Sequence, residues 1–171
     1  MIRHLAAFAA AAALCIAAPA VAQTAPQPGL AIADVGAWIT SKGGDVQPVQ
    51  RQGDEVWLTV RDGDLTWLVF FYGCQNDVCA DLQYSASFTN ESITPQMIND
   101  WNRDRRFLKA FHSPGADGEA PTAVVQYDLL LQPGGVEQLT DATGVWVGML
   151  VEFARHVGYL PPTASAPASG Q

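Results

Sequence analysis

The sequence predicts an α+β domain: a helix, an antiparallel sheet of three to four strands, a second helix, two further strands and a long C-terminal helix. Three observations carry that order. Strand-like alternation is concentrated between Glu55 and Phe88, with an Asp-Gly turn inside it. A helix start stands at Thr94-Pro95. From Val136 to Val157, apolar residues recur at three- and four-residue steps. Runs of strands separated by single helices argue against a parallel, doubly wound sheet.

Leu30 to Lys42 places Ile32, Val35, Trp38 and Ile39 at helical spacing, and Gly43-Gly44 ends that helix. A short strand is expected over Val46 to Gln50, followed by a turn at Gln52-Gly53-Asp54. Glu55 to Val60 alternates, with Val56, Leu58 and Val60 on one face and Trp57 and Thr59 on the other. Asp62-Gly63 is a hairpin signal between two β-rich runs. Leu65 to Tyr72 is almost wholly apolar, which predicts a central strand buried on both faces. Cys79 to Phe88 alternates, with Leu82, Tyr84, Ala86 and Phe88 facing inward.

The second helix opens with Thr94 as cap and Pro95 as first helical residue, where the missing N–H costs nothing. Ile93 and Ile98 stand at the spacing of a hydrophobic staple, and Met97, Ile98 and Trp101 share a face. Phe107 to His112 and Thr122 to Leu131 read as strands around a Pro- and Gly-containing turn. In the last helix Leu139, Thr143, Trp146, Leu150, Phe153 and Val157 form one mostly apolar stripe. Gly158 and Pro161-Pro162 stop it.

The two ends read differently from the middle. A positive Met1-Ile2-Arg3-His4, an Ala-rich apolar run from Leu5 to Ala18 and the small residues Ala20 and Ala22 form a signal peptide over 1–22, cleaved after Ala22. The run is shorter than the roughly 20 residues that cross a bilayer, so no membrane insertion is expected after cleavage. The expected location is the periplasm. Residues 23–29 are expected to be a linker, 30–160 one domain, and 161–171 a disordered tail without a large apolar side chain.

The chain of 171 residues carries a formal net charge of −8. An acidic chain is a poor partner for nucleic acid or anionic lipid, which need a basic surface. Cys15 leaves with the signal, so Cys74 and Cys79 remain, and an even count in an exported protein reads as a disulfide. The bridge would close a short loop containing Asn76 and Asp77. A redox pair is the competing reading, but Cys-x-x-Cys at a helix start is its usual form, and here the spacing is wider and the context is strands.

The most specific stretch is Asn99-Asp100-Trp101-Asn102-Arg103-Asp104-Arg105-Arg106-Phe107, preceded by Leu82-Gln83-Tyr84-Ser85-Ala86-Ser87-Phe88 and by Cys74 after an apolar strand. With Tyr127-Asp128 and Gly134-Gly135-Val136 further on, these residues resemble the YbjN family over nearly the whole domain. The resemblance implies a fold like that of type III secretion chaperones. It also implies a protein-binding or regulatory role, under the label of sensory-transduction regulator, with no enzyme activity attached.

The chain has no Gly-x-Ser-x-Gly, no phosphate-binding Gly-x-x-x-x-Gly-Lys and no His-Glu-x-x-His. No catalytic residue, metal site or cofactor is expected. After signal removal only His112 and His156 remain, and no ligand spacing joins them. Trp101, Asn102, Arg105 and Arg106 are the candidate binding residues, since Trp and Arg are enriched at binding hot spots. The structural alternative makes Trp101 an anchor of the helix to the sheet, Asn102 a cap on the helix end and Arg106 a partner of an acid such as Asp128. Two functions are carried forward. One is a non-enzymatic periplasmic module that binds an unknown protein or peptide, or a second copy of itself. The other is a small-molecule or envelope-ligand sensor, which needs a pocket of roughly 300 Å³ or more.

Overall fold

The sheet is built where the alternating segments predict it, and all three helices lie on one of its faces. The computed structural model describes residues 28–162. The expected signal peptide, residues 23–27 of the expected linker and residues 163–171 of the expected tail lie outside the described residues. In chain order the elements are β1 (Leu30–Ala31), α1 (Ile32–Ser41), β2 (Asp45–Val46), β3 (Gln50–Gln52), β4 (Glu55–Asp62), β5 (Leu65–Tyr72), β6 (Val78–Cys79), β7 (Asp81–Thr89), α2 (Pro95–Asp104), β8 (Lys109–Ser113) and β9 (Thr122–Leu130). A 3₁₀ turn over Val136–Leu139 then runs into α3 (Thr140–His156). The main sheet has the order β2-β4-β5-β7-β9-β8, with β3 also paired to β4 and every pairing antiparallel.

The residues that alternate inward make the core. Val60, Trp67, Val69, Phe71, Leu82, Tyr84, Phe88 and Val125 are buried from the sheet, and Val35, Ile39, Ile98, Trp101, Trp146, Leu150 and Phe153 from the helices. Trp67, Tyr84 and Trp146 pack edge-on or tilted with ring centroids 5.1 to 5.9 Å apart, which seats α3 on β5 and β7. Phe88 meets Phe153 at 5.8 Å further along the same helix. The Tyr84 hydroxyl shares a 2.8 Å hydrogen bond with Thr143, so this buried phenol is satisfied.

Four local expectations need correction. β5 is central, yet it is buried on one face only: Leu65, Trp67, Val69 and Phe71 are buried, whereas Leu68 and Phe70 are intermediate and Thr66 and Tyr72 exposed. No helix of the described residues covers the second face. The expected strand at Val46 to Gln50 is split into β2 and β3 around Pro48, which has no N–H for the ladder. The first helix begins at Ile32, because Leu30 and Ala31 pair with Cys79 and Val78. The hairpin loop is Gly63-Asp64, not Asp62-Gly63; Gly63 takes φ +59° at the first loop position, which a primed turn demands.

The cysteine loop is a second tight turn. Gln75 and Val78 exchange backbone hydrogen bonds at 2.8 and 3.0 Å. Between them Asn76 and Asp77 have φ +50° and +64°, the pair of positive angles of a type I′ turn. Cys74 and Cys79 are joined in a disulfide across it. At α2 the Thr94 hydroxyl accepts a bond from the Met97 N–H at 3.2 Å, and Ile93 and Ile98 are both buried. No described helix is long and apolar enough to cross a membrane.

Candidate functional site

The Trp101-to-Arg106 cluster is divided by the fold. Trp101 is 2% exposed and points into the core, edge-on to Phe153 at 4.9 Å and beside His156 at 5.5 Å. Its indole N–H has no partner among the described residues, as is also true of Trp38, Trp67 and Trp146. Asn102 does not cap its helix. Its side-chain amide donates to the Ala110 carbonyl at 2.8 Å and its oxygen accepts from the Ala110 N–H at 2.9 Å. β8 is the last strand of the sheet, so this amide occupies the place a neighbouring strand would take.

Arg105 lies over the Trp101 ring at 5.8 Å and reaches Glu152 at 3.4 Å. Arg106 does not pair with Asp128. It lies over Phe107 at 5.0 Å, while Asp128 takes the Lys109 ammonium at 2.9 Å and the Gln83 amide at 2.6 Å. The Gln83 hydrogen bond, then that of Lys109, holds the Asp128 carboxyl below the usual carboxylate range. Phe107 itself is 56% exposed and has φ +72°, a left-handed conformation that a bulky residue rarely adopts.

Trp101, Arg105, Glu152, Arg155, His156 and Pro162 line an open hollow of about 560 Å³. Its polar groups are largely committed. Glu152 neutralises Arg105, and His156 Nε2 lies 2.8 Å from the Met97 carbonyl. The C-terminal ends of α2 and α3 meet here, and their dipoles favour cations over an anionic ligand. No group of three or more His, Cys, Asp or Glu side chains among the described residues could hold a metal.

The uncovered face of the sheet is the larger feature. Strand register places Trp57, Phe70, Gln83 and Asp128 in one row across it, and Thr59, Leu68, Ser85, Gln126 and Lys109 in the next. The β4–β5 half is aromatic, with Trp57 and Phe70 at 6.1 Å and Tyr72 46% exposed. The β7–β9 half is polar, ending at the Lys109–Asp128 pair. The alternation of β4 separates Trp57 from Val56, Leu58 and Val60. Phe70 was missed, because an all-apolar run hides which of its residues have a helix above them.

A separate groove of about 420 Å³ runs between α1 and the β2–β4 edge. Ile32, Gly36, Val46, Val49 and Leu58 form its walls, and Arg51, paired with Asp77 at 2.8 Å, stands at its rim. Gly36 keeps it open: a Cβ there would sit 3.4 Å from Leu58 Cδ1.

These features define a class: an α+β module whose main antiparallel sheet has one helical and one open face, with no catalytic constellation among the described residues. The chain belongs to the YbjN family. That family's model, described as "Putative bacterial sensory transduction regulator", matches residues 32–158. No curated protein matches the sequence.

Proposed function

We propose that this chain is a non-enzymatic module, exported to the periplasm, that binds a protein or peptide partner through the open face of its sheet. The aromatic half of that face, Trp57, Leu68, Phe70 and Tyr72, is the observation that supports this reading most. Apolar area covered there would return about 25 cal/mol per Å² before the costs of association. A role as a regulator fits an output made by binding. The disulfide supports an oxidising compartment.

Site-specific photo-cross-linking tests it. A benzophenone side chain at position 70 of the full-length chain should give a discrete adduct in cells. The same probe at Asp117, in the exposed β8–β9 turn, should give none. Equal labelling from both positions, or none from either, counts against the sheet face. N-terminal sequencing of the purified product should begin at Gln23, and a retained Met1 would rule out export by signal cleavage.

A ligand-sensing role is the second reading, favoured by the 420 Å³ groove beside α1. A small apolar ligand seated there should raise the melting temperature of the wild type and leave Gly36→Val, which fills the groove, unchanged.

A further inference from the structure

The open sheet face is not evenly charged. Its end row sets Tyr72 against Asp81 on β7, and Glu55, one residue before the Val56–Phe71 pair, flanks the same ring from β4. The next row holds Trp57 and Phe70, with Asp128 at its β9 end. Three rings and three carboxylates thus occupy two adjacent rows, and no Lys or Arg lies in either. The cations of this face, Arg61 and Lys109, stand in the rows beyond.

Lys109 answers Asp128 at 2.9 Å. Glu55 and Asp81 have no ion-pair partner among the described residues. The negative field reaches the ring: burial first, then Glu55 and Asp128, raises the Tyr72 phenol. Neighbouring strands lie about 4.8 Å apart, so the backbones carrying Glu55 and Asp81 are on the order of 10 Å apart, with Tyr72 between them. A cation placed over Tyr72 meets both carboxylates, and the face of an aromatic ring attracts it as well. A neutral apolar segment would cover the rings and strip water from the two carboxylates with nothing in return. An acidic segment is repelled here, as it is by the chain's net charge of −8.

We propose that the partner segment covering the open face is basic, with a Lys or Arg side chain held over Tyr72 between Glu55 and Asp81 and its apolar neighbours on Trp57 and Phe70. This rests on the sheet-face reading above and gives the partner its chemistry. Arginine suits the place better than lysine, because its plane stacks on a ring and its fork fits a carboxylate.

Titration of the full chain with a synthetic peptide of alternating Gly and Arg tests this. The readout is the NMR signal of the Trp57 indole N–H, which is half-buried whereas the other tryptophans are buried. At about 0.15 M salt, where exposed charges further apart than about 8 Å are largely screened, that signal should shift and saturate. The same peptide with citrulline for arginine has the shape without the charge and should leave the signal still. Glu55→Gln with Asp81→Asn should weaken binding about fivefold. Asp117→Asn with Glu119→Gln removes as much charge from the exposed β8–β9 turn and should leave binding unchanged. A Trp57 signal that the arginine peptide does not move, equal binding of the citrulline peptide, or equal loss in the two double variants overturns the proposal. Should Asp81→Asn not fold, Glu55→Gln, on an exposed side chain, decides alone. The photo-adduct from position 70 separates this proposal from the reading beneath it. Glu55→Gln with Asp81→Asn should diminish that adduct. An undiminished adduct keeps the sheet face and overturns the basic partner, and no adduct from the otherwise unsubstituted chain removes both.

Discussion

Replacing Trp101 by alanine removes a side chain that is 2% exposed and touches the ring of Phe153 edge-on. A tryptophan buries on the order of 200 Å², which at about 25 cal/mol/Å² sets an upper limit near 5 kcal/mol. Two corrections lower it. Alanine keeps the Cβ, and the unfolded chain already hides part of the ring from water, so less than the full area is at stake. The expected loss is about 3 kcal/mol, at the low end for truncating a large buried aromatic. With a urea slope of about 2 kcal/mol/M the unfolding midpoint should fall by about 1.5 M. Trp101→Phe, which keeps an aromatic beside Phe153, should lose less than half of that. An unshifted midpoint for Trp101→Ala would refute the core assignment. Combined with lost partner binding, it would make Trp101 a docking residue reached by local opening.

Asn102→Ala should cost about 1–2 kcal/mol for its two hydrogen bonds to Ala110, and light scattering on storage should rise as the β8 edge is uncovered; unchanged unfolding and scattering would remove the edge-cap role. Non-reducing peptide mapping should find Cys74 linked to Cys79, and reduction should lower stability by about 2 kcal/mol, the loop-closure value for so short a ring; two freely alkylated thiols would exclude the bridge. Burial pushes the Tyr84 phenol up to about 12 from 10.0, against a smaller opposing effect of the Thr143 hydrogen bond. The unfolded chain therefore loses this proton first, and the stability it contributes is whole below pH 10 and lost as pH climbs toward about 12, at about 1.4 kcal/mol per pH unit. Tyr84→Phe should flatten that decline in urea midpoints measured between about pH 9 and pH 11; parallel slopes for the two proteins would exclude Tyr84 as its source.

Helix positions were legible because their signals are local. Thr94 and Pro95 act within one turn, and the stripe from Leu139 to Val157 repeats often enough to override Gly144 and Gly148. Strand alternation fixed the inward set of β7, since a shift by one residue would have buried Ser87 in place of Phe88. The faces of β5 were not legible. Trp67, Leu68, Val69, Phe70, Phe71 and Tyr72 are all apolar or aromatic, so nothing in their order says which side meets a helix. That depends on α1, α2 and α3 all lying on one side, which is decided by chain crossovers far from β5. The strand split at Pro48 had a local cause in the missing N–H, and is the correction a closer reading of the residues could have supplied.

The candidate site failed to resolve in the sequence for a different reason. Trp101, Asn102, Arg105 and Arg106 are close in the chain, and that closeness leaves open whether they form one binding surface or serve separate structural roles. Successive residues in a helix point about 100° apart, so Trp101 and Asn102 cannot serve the same face: one enters the core and the other turns to the sheet edge. The partner of Asn102 lies eight residues on, past the end of α2 and the left-handed Phe107. Helical periodicity cannot reach across that break. An amide at a helix end followed by a short strand is the one signal that was present. The two-point bond to Ala110 answers a need that any sheet with an exposed last strand has, which is to occupy the hydrogen-bonding groups that would otherwise recruit another chain. On this account Asn102 acts against association at the edge, while the face left free for a partner is the one built from Trp57 and Phe70. Removing the cap should therefore move Asn102→Ala toward indiscriminate aggregation. A sedimentation series on Asn102→Ala beside the wild type reads this, and aggregation of Asn102→Ala no greater than that of the wild type would show that the β8 edge needs no cap.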